Sequence, residues 1–169
     1  MDIENALHEV RQLRDSIRAN NPPPEEGALS REDPVVYFSL VRNTRGYLER
    51  LVHQINGSYE SGWYDASAVM TRRLVETLII EVFEKYGIAS KIQNSSGDFF
   101  YLRDLISALV SEKAWNLSKN AKSALPRLKD VGDMSAHSRR FIAQRQDLDK
   151  LISDLRVVVQ ELVTLAHLK

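Results

Sequence analysis

Hydrophobic residues recur along this chain at the spacing of α-helices, and no segment shows the strict alternation of a half-buried strand. The densest apolar stretch covers residues 66–83, and its side chains leave almost no face of a helix polar. A helix that is apolar on nearly all sides must be covered by other helices. We therefore predict that residues 62–87 form the central helix of an all-α domain. The charged residues that interrupt its apolar stretch are Arg72, Arg73, Glu76 and Glu81.

Two further amphipathic helices are predicted on either side of the central one. The Asp-Pro pair at 33–34 is a suitable N-cap and first helical position, and the Asn-Gly pair at 56–57 is a suitable end. A short turn at 58–62 would then make this helix an antiparallel hairpin with the central one. After a turn cluster at 94–97, Asp98 is the predicted N-cap of the next helix. The residues that we expect on its inward face are Phe99, Leu102, Leu105, Ile106, Leu109 and Val110.

The last third of the chain predicts two more helices with a turn between them. Residues 117–131 carry an apolar face, with Pro126 inside it, where we expect a kink or a fresh start. Gly132 followed by Asp133 is typical of a helix stop, so we predict a tight turn over residues 132–140. Asp147 is the predicted start of the final helix. Its apolar stripe is Leu148, Leu151, Ile152, Leu155, Val158, Val159, Leu162 and Leu165.

The N-terminal part of the chain differs from the rest. Residues 1–20 predict a surface helix with one narrow apolar edge, and residues 21–33 contain three consecutive prolines, which favour an extended linker. We predict a helical arm at 1–20, a Pro-rich linker at 21–33 and one helical domain at 34–169. The predicted fold is an all-α, up-and-down bundle of about four to six helices.

Composition excludes several classes of function. The chain has 169 residues, with 23 Lys plus Arg, 23 Asp plus Glu and no cysteine. Zero net charge weakens the case for broad electrostatic binding of nucleic acid, although a local basic patch is compatible with it. The lack of cysteine excludes disulfides and thiolate chemistry. No apolar run has membrane-spanning length and the start lacks signal-peptide features, so we expect a cytoplasmic protein that does not enter a membrane.

The sequence contains no phosphate-binding glycine loop, zinc helix, calcium loop or nucleophile elbow, and we expect neither a metal nor a cofactor. His137 is the best candidate for chemistry, because Arg139 and Arg140 follow it. A histidine that moves the ribose hydroxyl proton, with arginines on the phosphate, would allow cleavage of RNA without a metal. A histidine in a turn is more often a hydrogen-bonded structural group, and the residues alone favour that interpretation.

Arg72, Arg73 and Glu76 also have two interpretations. They are either a weak ion pair on the helix surface or a polar group that braces the turn bearing Asp133 and His137. In the second case the central helix and the turn would together form one polar site.

Residues 64–76 and 128–137 together resemble the HEPN superfamily, the higher eukaryotes and prokaryotes nucleotide-binding helical domains. Within it they are similar to a branch of unknown function that has an Arg-Arg-x-x-Glu helix, then a Gly-Asn or Gly-Asp and Ala-His turn. The resemblance covers roughly residues 37–168. It implies a helical bundle that dimerises with the polar motifs facing each other, and an association with defence, toxin-antitoxin and restriction systems.

Active members of this superfamily are metal-independent endoribonucleases with an arginine a short interval before the histidine. Here the nearest upstream arginine is Arg127, and residues 128–133 occupy the expected interval, with Asp133 in the place of a polar residue of the turn. The first hypothesis is therefore a HEPN-like module that forms a homodimer and binds RNA, a nucleotide or a partner protein near His137. The second is an endoribonuclease with His137 as general acid or base, Arg139 or Arg140 on the phosphate and Glu76 orienting an arginine. The third is a purely structural assembly domain.

Overall fold

A computed structural model describes residues 9, 10, 12 and 33–169. The predicted arm at 1–20 lies outside the described residues apart from Glu9, Val10 and Gln12, which are helical, and the predicted linker at 21–33 lies outside them apart from Asp33. These two predictions are therefore untested.

The described part of the chain is all-helical and contains no β-strand, which confirms the predicted all-α bundle. Within it, none of the helices combines the length and the apolar character needed to cross a bilayer. Two 3-10 turns occupy Phe38–Leu40 and Ala89–Ile92. The α-helices are α1 (Gly46–Glu60), α2 (Tyr64–Lys85), α3 (Leu102–Ser111), α4 (Lys119–His137), α5 (Arg145–Asp149) and α6 (Ile152–Leu165).

Helix α2 is the centre of the bundle, as its apolar pattern predicts. It packs against α1, α3, α4 and α6. Its residues Leu74, Val75, Leu78 and Ile79 are completely buried. Burying each such side chain contributes about 1.5–3 kcal/mol, so the neighbouring helices are held to α2 chiefly by apolar contact.

The predicted start of α1 at Asp33-Pro34 is wrong, because contacts with distant residues hold this segment out of a helix. The carbonyl groups of Pro34 and Val35 accept hydrogen bonds from the Arg156 guanidinium. Helix α1 begins only after Asn43, which has a left-handed φ of 63°.

The predicted end of α1 at Asn56-Gly57 is also wrong, since the helix continues to Glu60. The Asn56 side chain bonds both the amide and the carbonyl of Val36, at 2.9 Å each, instead of ending its own helix. The hairpin connection to α2 is accordingly shorter than predicted. The predicted antiparallel arrangement is present, since the Ser67 hydroxyl donates to the Ile55 carbonyl near one end and the Tyr47 hydroxyl donates to Glu81 near the other.

Helix α3 begins later than predicted, with Tyr101 rather than Asp98 at its N-cap. The amide of Asp98 donates to the Asn94 side chain and its carbonyl accepts from the Asn94 amide, so Asp98 closes the preceding turn. Phe99 and Val110, predicted to face inward, are both 37% exposed. The inward positions that are confirmed are Leu102, Leu105, Ile106 and Leu109.

Helix α4 contradicts a fresh start at Pro126, which is one of the two predicted alternatives, and it contradicts the predicted turn from residue 132. It runs without interruption from Lys119 through Pro126 and Gly132 to His137. Gly132 is buried, and a Cβ atom there would lie 2.5 Å from the Cβ of Arg72 and 3.1 Å from the carbonyl oxygen of Ala68. The glycine therefore permits close contact between α4 and α2 and does not end the helix.

The final helix is divided, so the prediction that it opens at Asp147 is wrong. Gln144 is the N-cap of α5, and the Asp147 carboxylate accepts a hydrogen bond from the Gln144 backbone amide in a capping box. Helix α6 follows from Ile152. Of the predicted apolar stripe, Leu148, Leu155, Val158, Val159 and Leu162 are buried, and Leu151, Ile152 and Leu165 are partly buried.

Replacing Gly132 with Ala tests the close contact between α2 and α4. Alanine is more favourable than glycine in a helix interior by about 1 kcal/mol. Here, however, a clash with the Arg72 Cβ atom forces the helices apart at a cost of about 1–3 kcal/mol. We expect a lower unfolding midpoint in urea for Gly132→Ala. The matched control is Gly46→Ala in the first turn of α1, where a Cβ atom has no neighbour within 4 Å. Equal midpoints for the two variants would contradict the steric argument.

Thr71 provides a second test, because its buried hydroxyl has no hydrogen-bond partner among the described residues. The residue is 5% exposed and borders a cavity of about 10 Å³ beside Gly132. Removing an unpaired buried hydroxyl while keeping the shape should raise the free energy of unfolding of Thr71→Val by about 1 kcal/mol. Thr77→Val, at a half-buried position whose hydroxyl bonds the Arg73 carbonyl, is the control. A less stable Thr71→Val protein would mean that a bound water satisfies the hydroxyl.

Candidate functional site

The predicted polar site lies where α4 crosses the middle of α2. The Arg72 guanidinium on α2 donates from Nε to Asp133 Oδ1 at 2.6 Å and from a terminal nitrogen to Glu76 Oε2 at 3.2 Å. The three side chains are only 23–31% exposed. Arg72 is therefore held between two carboxylates, one on each helix, in a partly desolvated place where such contacts are stronger than at the surface.

Local sequence explains why Asp133 reaches Arg72. The preceding residue, Gly132, has no side chain, so the backbone of α4 lies directly on the Arg72 stem and the Ala68 carbonyl. The next residue along α4 then places its carboxylate beside the guanidinium. The Gly-Asp pair is thus a contact surface for α2, and residues 132–137 of the predicted turn are in fact helical.

Lys129 completes the charge balance of this cluster. Its ammonium lies 2.8 Å from Asp133 Oδ2, one helical turn away, and 3.1 Å from Asp130 Oδ1. The hydrogen bond that Lys129 donates to Asp133 is the main reason that the pKa of Lys129 is raised. For Asp133, burial disfavours the charged form, but the bonds from Lys129 and Arg72 outweigh burial and lower its pKa below 3.8.

The cluster therefore has its charges compensated. Arg72 and Lys129 supply two positive charges, and Glu76 and Asp133 supply two negative charges; the Asp130 carboxylate beside Lys129 is 65% exposed and lies at the edge of the cluster. A phosphate that bound Arg72 would share the guanidinium with two carboxylates, one of them at 2.6 Å. The arrangement is well suited to holding α2 and α4 together and poorly suited to stabilising a developing negative charge.

The remaining predicted site residues do not join this cluster. His137 is the last residue of α4, one turn beyond Asp133, and is exposed, as are Arg139 and Arg140 in the segment that follows. None of these three side chains forms a hydrogen bond or an ion pair with any residue that the structure describes. They form a basic patch, which we define as His137, Arg139 and Arg140.

The segment that carries the basic patch is attached to the bundle by its backbone. The Ser138 hydroxyl accepts a hydrogen bond from the Phe141 amide at 3.1 Å. The Ala143 amide donates to Asp65 at the start of α2 at 3.0 Å. The patch is therefore displayed at a defined end of the bundle, beyond the end of α4 and near the start of α2.

Arg73 lies apart from both the charge-balanced cluster and the basic patch. It lines a groove between α1 and α2, together with Glu81. One signal for this groove is visible in the sequence, the acidic Glu81 within the apolar run of α2. The participation of α1 depends on a helix register that the pattern does not define. Among residues 33–169, no group of three or more His, Asp and Glu side chains is arranged to hold a metal ion.

Comparisons of the chain with protein-family models, with curated proteins and with solved structures find no match.

Replacing Asp133 with Asn tests whether the charge-balanced cluster stabilises the fold. Asn keeps the shape of Asp but loses the charged bonds to Arg72 and Lys129. We therefore expect the free energy of unfolding to fall by about 1–2 kcal/mol at neutral pH. Since the pKa of Asp133 is lowered in the folded state, this stabilisation is complete above pH 3.8 and is lost as the pH falls through the lower folded value.

Urea unfolding of the unaltered protein and of Asp133→Asn, between about pH 6 and about pH 3, measures this effect as a difference in unfolding free energy that shrinks on acidification. Asp130→Asn is the control, because its carboxylate contacts the same lysine but is 65% exposed. A difference that stays constant with pH would show that the Asp133 charge is not responsible.

Proposed function

We propose that this chain is a HEPN-like helical module that binds RNA through the basic patch, His137, Arg139 and Arg140, without cleaving it. The observation that carries the proposal is that three exposed basic side chains stand within four positions, whereas several arginines of the bundle are paired with carboxylates. Arg72, Arg127 and Arg156 each form an ion pair with a carboxylate. The side chains of the basic patch have no acidic partner in the described part of the chain and are exposed.

Phosphate groups are the natural partners of such a patch. Exposed guanidinium groups form paired hydrogen bonds with phosphate oxygens, and each contact releases counterions from the nucleic acid. Three basic residues within four positions can follow a short length of single-stranded backbone. The net charge of zero limits the interaction to this local surface, and the HEPN resemblance favours RNA as the source of the phosphates.

Binding is favoured over cleavage by the surroundings of His137. A general base is normally oriented by a second group, and no described residue makes a hydrogen bond with the His137 side chain. Arg72, the arginine that α2 could have supplied to a transition state, is held by Asp133 and Glu76. Among the described residues, His137 therefore lacks an orienting partner and Arg72 is engaged in ion pairs, and both observations favour binding over cleavage.

Homodimer formation is part of the same proposal, because the HEPN resemblance implies paired copies. A dimer would present two basic patches on one particle and would raise the effective affinity for a long strand. Molecular mass from light scattering, with and without a single-stranded RNA, measures the number of copies per particle. A monomer in both conditions would contradict this part of the proposal.

The test of RNA binding is the variant with Arg139→Ala and Arg140→Ala together. Each phosphate contact on a single strand contributes about 0.7 to the slope of log affinity against log salt. Losing two contacts should make the slope about 1.4 less steep and should reduce affinity at least about tenfold at low salt. Fluorescence anisotropy with a labelled single strand in chelator measures both quantities.

The matched control removes the same charge elsewhere, with Arg42→Ala and Arg103→Ala on exposed positions of other segments. Equal losses in the two double variants, or no binding by the unaltered protein, would overturn the proposal. The same samples are examined for cleavage of tRNA and of mixed single strands. Cleavage that disappears in His137→Ala would instead support the endoribonuclease hypothesis.

A further inference from the structure

A groove between α1 and α2 is unrelated to the basic patch and has the dimensions of a small-molecule site. Its volume is about 470 Å³, within the range of about 300–1,000 Å³ that is usual for ligand pockets. Residues of α1 form one wall, and residues of α2 form the other. None of the groove residues belongs to the charge-balanced cluster around Arg72.

The floor of the groove is apolar and one end is basic. Leu51 is buried and Ile80 is half-buried, so the methylene groups of a ligand would find apolar contact there. Arg50 and Arg73 lie on opposite walls and are exposed. Neither forms an ion pair with a residue in the described ranges, so both guanidinium groups are available to an anionic group.

The other end of the groove is acidic. Glu81 is only 8% exposed, and it receives a hydrogen bond from the Tyr47 hydroxyl while Arg45 Nε lies 3.7 Å from its carboxylate. Burial raises the pKa of Glu81 despite the nearby Arg45, because the charged form loses hydration. Glu84 follows on the same wall, is exposed and has no ion-pair partner among the described residues.

The register of the two antiparallel helices separates the two ends. Tyr47 lies level with Glu81, so Arg50, almost one turn further along α1, lies nearer to Thr77. Thr77 and Glu81 are separated by about 6 Å along α2, which is four residues of helix rise. The positive and negative ends of the groove are thus about one helical turn apart.

We propose that this groove binds a small zwitterion, with an acidic group at Arg50 and Arg73, a protonated amine at Glu84, and an aliphatic chain on Leu51 and Ile80. A dianion of the same length would place its second charge against Glu84. A dication would place one charge against the two arginines. Only a ligand with both charges is complementary to both ends.

Three probes of equal chain length separate these possibilities: 6-aminohexanoate, adipate and 1,6-diaminohexane. Titration calorimetry on the full chain measures their dissociation constants. We expect 6-aminohexanoate to bind at least about tenfold more tightly than either of the others, because the like charge of each competitor is repelled at one end. Equal affinities, or no heat of binding with 6-aminohexanoate, would overturn the proposal.

Surface variants identify the site. The double variant Arg50→Gln with Arg73→Gln should weaken the binding of 6-aminohexanoate at least about tenfold, and it should then bind 1,6-diaminohexane no more weakly than 6-aminohexanoate. The variant Glu84→Gln should reduce the preference for 6-aminohexanoate over adipate. Arg103→Gln on α3 is the control, and circular dichroism confirms that each variant is folded. Binding that survives the double arginine variant would place the ligand elsewhere. Because these variants leave the basic patch intact, failure here is distinguishable from failure of RNA binding.

Discussion

The contact between α2 and α4 at Gly132 is the constraint on which the placement of charges in this protein depends. A glycine in α4 brings its backbone against the stem of Arg72, at a separation where any Cβ atom would lie 2.5 Å from the Arg72 Cβ atom. Asp133 is then within 2.6 Å of the guanidinium. The helices are held by apolar burial, but this contact determines their register and commits Arg72 to a role within the bundle.

Two neighbouring residues of α2, Arg72 and Arg73, therefore face different surroundings. Arg72 and Arg73 are adjacent in sequence but point about 100° apart around the helix, as successive helical residues must. Arg72 is engaged by the carboxylates of α2 and α4, whereas Arg73 lines the groove beside α1. A paired-arginine motif in a central helix therefore does not imply a single site, and here it divides between structural support and a solvent-accessible surface.

The periodicity of apolar residues predicted the interior of the fold, because burial on a helix depends only on spacing. It identified α2 and most of the inward faces of α3 and α6. The signals for helix ends were misleading at Asp98, Asp147 and Gly132. In each case a polar or small residue that favours a helix end is used differently: Asp98 closes a turn, Asp147 completes a cap begun by Gln144, and Gly132 accommodates another helix.

The candidate site could also be predicted only in part. The grouping of Arg72, Glu76 and Asp133 followed from two segments that pointed to one place, although Asp133 lies in a helix and not in a turn. The exposure of His137 and the groove beside Arg73 did not follow, since both depend on how far α4 extends and on the register of α1 against α2.

The attachment of residues 33–35 to Arg156 has a consequence for synthesis on the ribosome. Asp33 and the carbonyl groups of Pro34 and Val35 are held by a guanidinium more than 120 positions later in the chain. The carbonyls therefore lack this partner until α6 has emerged from the exit tunnel. Until then the Asn56 side chain of α1 can hold Val36, but a nascent bundle with α1 and α2 already paired exposes the apolar surface that α6 later covers.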